Sequence, residues 1–363
     1  VKFFDLGLGE PKRRAELEAA FRRVLDSGWM ILGPELEAFE SEFAAYCGVP
    51  HAIGVGNGLD ALTLALRAAG VGPGDEVIVP AHTFAATWMA VDAVGARPVA
   101  IECDPATFTV DAASVGAAIT PRTKAVIPVS LYGHPVDMAP IMSLAERHGL
   151  FVLEDAAQSH GALDHGRRTG SLAHATAFSF YPTKNLGALG DAGAVTTADP
   201  ALAERLRMLR NYGSREKYVH EEPGVNSRLD ELQAAFLRVG LAGLDAATEA
   251  RRERADRYRR GLEGVPSVRV PGEAEWARHV YHLYVVRAAE RDDLQARLQA
   301  AGVPTLIHYP NPCHLQPAFA RHGYRAGQLP VAERLAQEVL SLPLWPTMPL
   351  TDIDRVIEAV RSA

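Results

Sequence analysis

Cysteine is scarce: the 363-residue chain has three, Cys47, Cys103 and Cys313, far apart and in no Cys-x-x-Cys pair. A disulfide framework and a zinc ribbon are thereby excluded, and a chain of this length buries a sizeable core without either. No uninterrupted apolar run approaches the roughly 18 residues of a membrane helix. The best stretch, Ala85 to Val94, is short and contains Asp92. A positive surplus is missing too: 37 Lys and Arg against 44 Asp and Glu leave a net charge of −7. Nucleic-acid phosphates would find no general basic face. The one arginine-dense run, Arg251 to Arg260, is interleaved with acids and reads as the solvated side of a helix. The opening residues Val1-Lys2-Phe3-Phe4-Asp5 reach an acid at once and form no apolar signal region. Together these features lead us to expect a cytoplasmic protein without membrane or nucleic-acid partners.

What is present is an alternation of short β-branched runs with helical periodicities, the pattern of strands joined by crossover helices. The chain reads as α/β, with seven strands over Ala52–Val55, Glu76–Pro80, Pro98–Ile101, Ala125–Ser130, Leu150–Leu153, Thr176–Phe180 and Ala194–Thr197. Leu36, Phe39, Phe43 and Tyr46 share one helical face, and Gly48 supplies the stop. After about Asn226 the pattern becomes one long helical segment through Gly261, then Pro271-Gly272, a strand over His282–Val286 and further helices. With no low-complexity linker, the expected division is a large domain over 1–245 and a smaller α/β domain over 246–363.

Two strand ends carry the chemistry. Phe151-Val152-Leu153 runs into Glu154-Asp155, placing acids where parallel sheets hold ligands. Phe178-Ser179-Phe180-Tyr181-Pro182-Thr183-Lys184 delivers a lysine into a loop that continues to Gly190-Asp191-Ala192-Gly193. A third segment, Gly54-Val55-Gly56-Asn57-Gly58-Leu59, turns from a strand into an apolar helix whose first amides favour a phosphate. The glycine spacing is not that of a dinucleotide fingerprint, and no acid follows at the end of the next strand. Pyridoxal 5'-phosphate (PLP) needs these three things: an amine for its aldehyde, an anion for its ring nitrogen and a cradle for its phosphate. Lys184 is then the Schiff-base and proton-transfer residue and Asp155 the ring-nitrogen partner. At about 4 Å and an effective dielectric near 20 such an ion pair is worth roughly 4 kcal/mol, or about three pKa units. Of the thirteen histidines, neither His160 with His165 and His174 nor His308 with His314 and His322 has metal-ligand spacing, so no metal is expected.

The ordered motifs Glu154-Asp155-Ala156-Ala157-Gln158, Phe178 to Asn185, Gly190 to Gly193 and Asn226-Ser227-Arg228-Leu229-Asp230-Glu231 resemble those of the DegT/DnrJ/EryC1/StrS aminotransferases. The resemblance runs essentially end to end. It implies a fold-type-I aminotransferase with a mostly parallel seven-stranded sheet, acting on nucleotide-linked keto-sugars. By it, Lys184 bears the cofactor, Asp155 meets the ring nitrogen, Gln158 the ring or its 3'-oxygen, Ser179 the phosphate, and Phe84 stacks on the ring. Asn226 reaches the phosphate in the neighbouring subunit, which makes a homodimer part of the site. Asn57-Gly58-Leu59 departs from the family's Ser-Gly-Thr, leaving the amides of Gly58 and Leu59 to bind phosphate, and Ala192 replaces a common glycine. Arg210 to Tyr218 and His308 to Phe319 look most like the dTDP-3-keto-6-deoxyhexose 3-aminotransferases. That likeness puts Tyr181, His308 and Tyr309 around the hexose and Lys217 on the diphosphate, with L-glutamate as amino donor. UDP-linked 3-keto-sugars and C4 amination are the alternatives; a non-catalytic regulator fits poorly with an intact Lys184 and Asp155.

Overall fold

The protein's structure, a computed structural model, describes residues 1–362. Its centre is a seven-stranded sheet built from β1 (His51–Val55), β2 (Glu76–Pro80), β3 (Arg97–Ile101), β4 (Thr123–Val126), β5 (Phe151–Asp155), β8 (Ala175–Ser179) and β9 (Gly193–Thr197). The order across the sheet is β1-β9-β8-β5-β4-β2-β3. Only β9 opposes its neighbours, pairing antiparallel with both β1 and β8; the other pairs are parallel. Between β5 and β8 a short hairpin, β6 (Leu163–Asp164) and β7 (Arg167–Arg168), pairs with β10 (Ala277–Arg278).

Every residue of β2 is buried, as the run Glu76-Val77-Ile78-Val79-Pro80 requires of a strand covered on both faces. Its side chains alternate between two cores. Val77 and Val79 join Leu62, Leu66, Trp88 and Leu206 from α3 (Gly58–Ala68), α4 (Ala85–Ala93) and α7 (Pro200–Leu209). Ile78 joins Val126, Val152, Val115 and Ile141, the last two from α5 (Ala112–Ala117) and α6 (Met138–His148). A further core packs α2 (Pro34–Cys47) and α8 (Glu231–Ala242) on Phe178 and Phe180, while α1 (Pro11–Ser27) lies against α8. The remaining helices α9 (Leu244–Leu262), α10 (Arg291–Ala300), α11 (Pro330–Glu338) and α12 (Leu350–Ser362) accompany the two-stranded sheet of β11 (Tyr284–Arg287) and β12 (Val339–Leu342). Tyr258, Tyr284, Leu298, Leu340 and Ile353 form their core, against which Val1 and Phe4 also pack.

Four sequence expectations need correction. The strand expected to reach Ser130 ends at Val126, because Pro128 has no amide hydrogen to continue the ladder, and Val129 makes only an isolated bridge to Asp155. The strand expected over Leu150–Leu153 runs instead through Asp155, so the acid is the strand's own last residue. The long helix expected from Asn226 to Gly261 is two helices broken at Gly243. In α9 the supposedly solvated arginine run has an inward member: Arg251 is buried and points its guanidinium at the carbonyls of Tyr281 and Leu344.

Candidate active site

The C-terminal ends of β5 and β8 lie side by side, Asp155 opposite Ala177, and the chain beyond each turns into the site. Asp155 is buried, and both its carboxylate oxygens are held: Thr87 Oγ1 donates to Oδ2 at 2.8 Å and the Ala157 amide to Oδ1 at 3.2 Å. Thr83 Oγ1 lies 3.1 Å from Thr87 Oγ1 and extends the chain of hydroxyls. Burial raises the Asp155 carboxyl above its ordinary range, and the hydrogen bonds and Lys184 pull the other way. Lys184 is half-buried, its amine pushed down to about 8 by desolvation and raised by Asp155. Each group thus acts on the other's charge, which is the pairing the two strand ends suggested.

Three buried or part-buried imidazoles feel the charge of the amine. His160, His282 and His308 are driven by burial towards the neutral form, and Lys184 lowers each further; His160 lies at about 3 and His308 at about 4. A cluster of neutral rings leaves Asp155 as the anion opposing the lysine.

Gln158 is fixed from both ends of its amide: the Tyr132 N–H donates to Oε1 at 2.7 Å and Nε2 donates to the Tyr309 hydroxyl at 3.0 Å. The Tyr309 ring in turn meets Phe84, with centroids 5.4 Å apart. Phe84 precedes α4 and is 55% exposed, too open for a core residue. His308 binds Ser341 Oγ through Nδ1 at 2.7 Å, and its carbonyl accepts from the Tyr132 hydroxyl, which also bonds His82 Nε2. The segment of His308 and Tyr309, from the smaller half of the chain, is therefore tied to the large sheet through Tyr132 and Gln158.

The segment expected to cradle a phosphate forms the start of α3. Asn57 caps the helix, its Oδ1 accepting from the Asp60 amide at 2.8 Å. The amides of Gly58 and Leu59, first in the helix, have no intrahelical acceptor. Ser179 closes the cradle so tightly that a Cβ on Gly58 would stand 2.6 Å from Ser179 Cβ, and one on Gly193 would stand 2.4 Å from the Asn57 carbonyl oxygen. Amine, buried carboxylate and anion cradle converge as PLP requires, and the residues fit that cofactor. Tyr181 stands exposed beside this loop.

Lys217 and Asn226 are not gathered with the others. Both are exposed; Lys217 lies over the Tyr218 ring at 5.0 Å, and Asn226 bridges Asn211. Next to Asn226, Ser227 Oγ accepts from the Gly56 amide and donates to Asp60, so this segment runs along the rim of the cradle. Sequence reasoning overlooked Thr87, Tyr132 and His282. Thr87 carried a signal, since it falls one turn after Thr83 at the start of a helix; Tyr132 and His282 lie in runs without a motif.

The model of the DegT/DnrJ/EryC1/StrS aminotransferase family matches residues 11–361. The chain is 56% identical over 361 residues to the dTDP-3-amino-3,4,6-trideoxy-alpha-D-glucose transaminase of Streptomyces venezuelae, covering 99% of this chain and 95% of that one. It is 55% identical over 362 residues to the erythromycin biosynthesis sensory transduction protein EryC1 of Saccharopolyspora erythraea, covering 100% and 99%. Among solved structures it resembles S. venezuelae DesV in complex with a ketimine intermediate, with a TM-score of 0.98 and 55% identity over 100% of this chain and 98% of that one.

Proposed function

Since the chain belongs to the DegT/DnrJ/EryC1/StrS aminotransferase family, we propose that it is a PLP-dependent transaminase that places an amino group on C3 of a dTDP-linked 3-keto-6-deoxyhexose, taken from L-glutamate. The observation that carries this reading is the coupling of Lys184 to Asp155 beside the start of α3, in a chain alike end to end with a dTDP-3-amino-3,4,6-trideoxy-alpha-D-glucose transaminase. When bound, the cofactor supplies an electron sink for the carbon that loses its proton.

The chain's own residues do the rest. Asp155 would hold a proton on the ring nitrogen, and Thr87 keeps Asp155 aimed. The Lys184 amine, lowered to about 8, would both give and take a proton at the reacting carbon. Gly58, Leu59 and Ser179 would hold the phosphate, and Phe84 and Gln158 would hold the ring. Tyr181, His308 and Tyr309 orient the hexose. Asn226 and Lys217, exposed on their own protomer, complete the site of a second copy in a homodimer, on phosphate and nucleotide diphosphate respectively.

The purified protein should turn over the dTDP-linked 3-keto sugar with L-glutamate, releasing 2-oxoglutarate and a C3-amino sugar. A panel adding the UDP-linked 3-keto sugar, a 4-keto sugar and an unlinked keto-cyclitol separates the readings. Faster turnover of any of these than of the dTDP-linked 3-keto sugar overturns the assignment.

A further inference from the structure

Away from the active site, the hairpin of β6 and β7 meets the start of α6. His165 Nε2 lies 3.8 Å from Asp164 Oδ1 and 3.8 Å from Asp137 Oδ1, and the three atoms are mutually within 4.8 Å. These separations are too long for hydrogen bonds. They leave a central point about 2.1 to 2.5 Å from all three atoms, against about 2.0–2.2 Å for Zn–N and Zn–O bonds, so a bound ion would draw the donors in by a few tenths of an ångström. Asp164 is 3% exposed, and Oδ1 of both Asp164 and Asp137 is buried without a hydrogen-bond donor. A buried, unpartnered carboxylate oxygen is costly, and a cation is the partner it lacks.

The surroundings orient the donors. Asp164 Oδ2 accepts from the Met138 amide at 3.2 Å, which fixes the carboxylate and turns Oδ1 towards His165. The His165 ring stacks on Trp276, 5.4 Å between centroids, and its amide donates to the Trp276 carbonyl at 3.0 Å. Arg167, the nearby cation, sends its guanidinium to the Ser171 carbonyl at 3.0 Å. The imidazole is 58% exposed, so an ion can enter from solvent. The turn itself is also informative. His165 and Gly166 have φ of 46° and 78°, the two left-handed positions of a two-residue hairpin, where Asn-Gly is the favoured pair. Histidine gives up turn stability there and gains a ligand atom.

We propose that Asp137, Asp164 and His165 form a zinc-type divalent metal site, completed by water, that pins the β6–β7 hairpin to the N-terminus of α6. One imidazole with two carboxylates suits Zn2+ and its stand-in Co2+ better than Mg2+ or Ca2+. No spacing announces the site, because Asp137 lies 27 positions before Asp164 and only folding brings it in.

The test is titration of the PLP-loaded enzyme with Zn2+ by calorimetry, and with Co2+ by visible absorbance, in wild type, His165→Asn and Asp164→Asn. His165→Asn keeps the turn, and Asp164→Asn keeps an acceptor for the Met138 amide. The wild type should bind about one ion per chain and gain thermal stability, with affinity falling at least about tenfold in each variant. No binding by wild type at about 1 mM ion, or equal binding by the variants, overturns the site.

Discussion

A lysine amine stripped of solvent prefers to be neutral, and Lys184 illustrates the consequence. Its folded pKa of about 8 lies below the ordinary lysine value of about 10.4. The unfolded chain therefore binds more protons between those two values, so this group makes the cofactor-free protein more stable as pH rises through that window. The amine also becomes reactive in the same region. Capture of PLP by the cofactor-free enzyme, followed by the rise of its bound absorbance, should accelerate with pH through about 8 and then level off. A midpoint near 10 would contradict the burial argument. Asp155 depends on a hydroxyl that sequence reasoning overlooked. Thr87→Val removes the donor 2.8 Å from Oδ2, and a buried acceptor left unpaired costs about 1–3 kcal/mol. We expect kcat to fall about tenfold with KM little changed, and Thr87→Ser to restore most of it; steady-state kinetics decides.

Among the elements, α3 shows how little sequence builds an anion site. The strand β1 ends, Asn57 caps, and the first amides of the helix are left facing outwards. The close contact with Ser179 then fixes which residue can stand first in the helix. Gly58→Ala would force its Cβ to within 2.6 Å of Ser179 Cβ, pushing β8 and α3 apart. PLP affinity should drop by about tenfold or more while circular dichroism stays unchanged, since a shift of about 1.4 kcal/mol suffices. Equilibrium dialysis of the cofactor measures it. The strand-to-helix turn was legible in the sequence, though the Asn57 cap was not, and Asp155 and Lys184 were singled out because one closes a buried strand and the other lies in the loop just after one. Tyr132 was not. It takes φ of 57°, buried between β4 and α6, and no local pattern says that its amide will reach Gln158.

For the whole molecule, the question is where one site ends and its neighbour begins. We propose that the domains divide at 245/246, where Leu244 packs into the core of α2 and α8 while Ala255 and Tyr258 of the same helix enter the smaller core. Val1 and Phe4 cross back to that smaller core, so the N-terminal residues clasp both parts. The exposed Asn226 and Lys217 lead to a sharper expectation. An inactive Lys184→Ala protein and an inactive protein carrying both Asn226→Asp and Lys217→Glu should recover activity when unfolded together and reassembled. Random pairing of two such chains in a symmetric dimer restores about a quarter of wild-type activity if the residues act across the interface. No recovery would place them in their own protomer's site.

The sequence alone determined the alternation of strands and helices, the glycine turn into α3, and the lysine and acid as candidates, because each is encoded by neighbours a few residues apart and by the alternation of buried and solvated positions; the exact strand ends and the Asn57 cap it did not. Tertiary structure decided which distant groups came to share a charge environment. The neutral imidazoles that feel the charge of Lys184, the Thr87 donor to Asp155 and the meeting of Asp137 with Asp164 and His165 all depend on how strands and helices pack. Desolvation and Coulomb attraction depend on distance in space, and separation along the chain does not fix that distance.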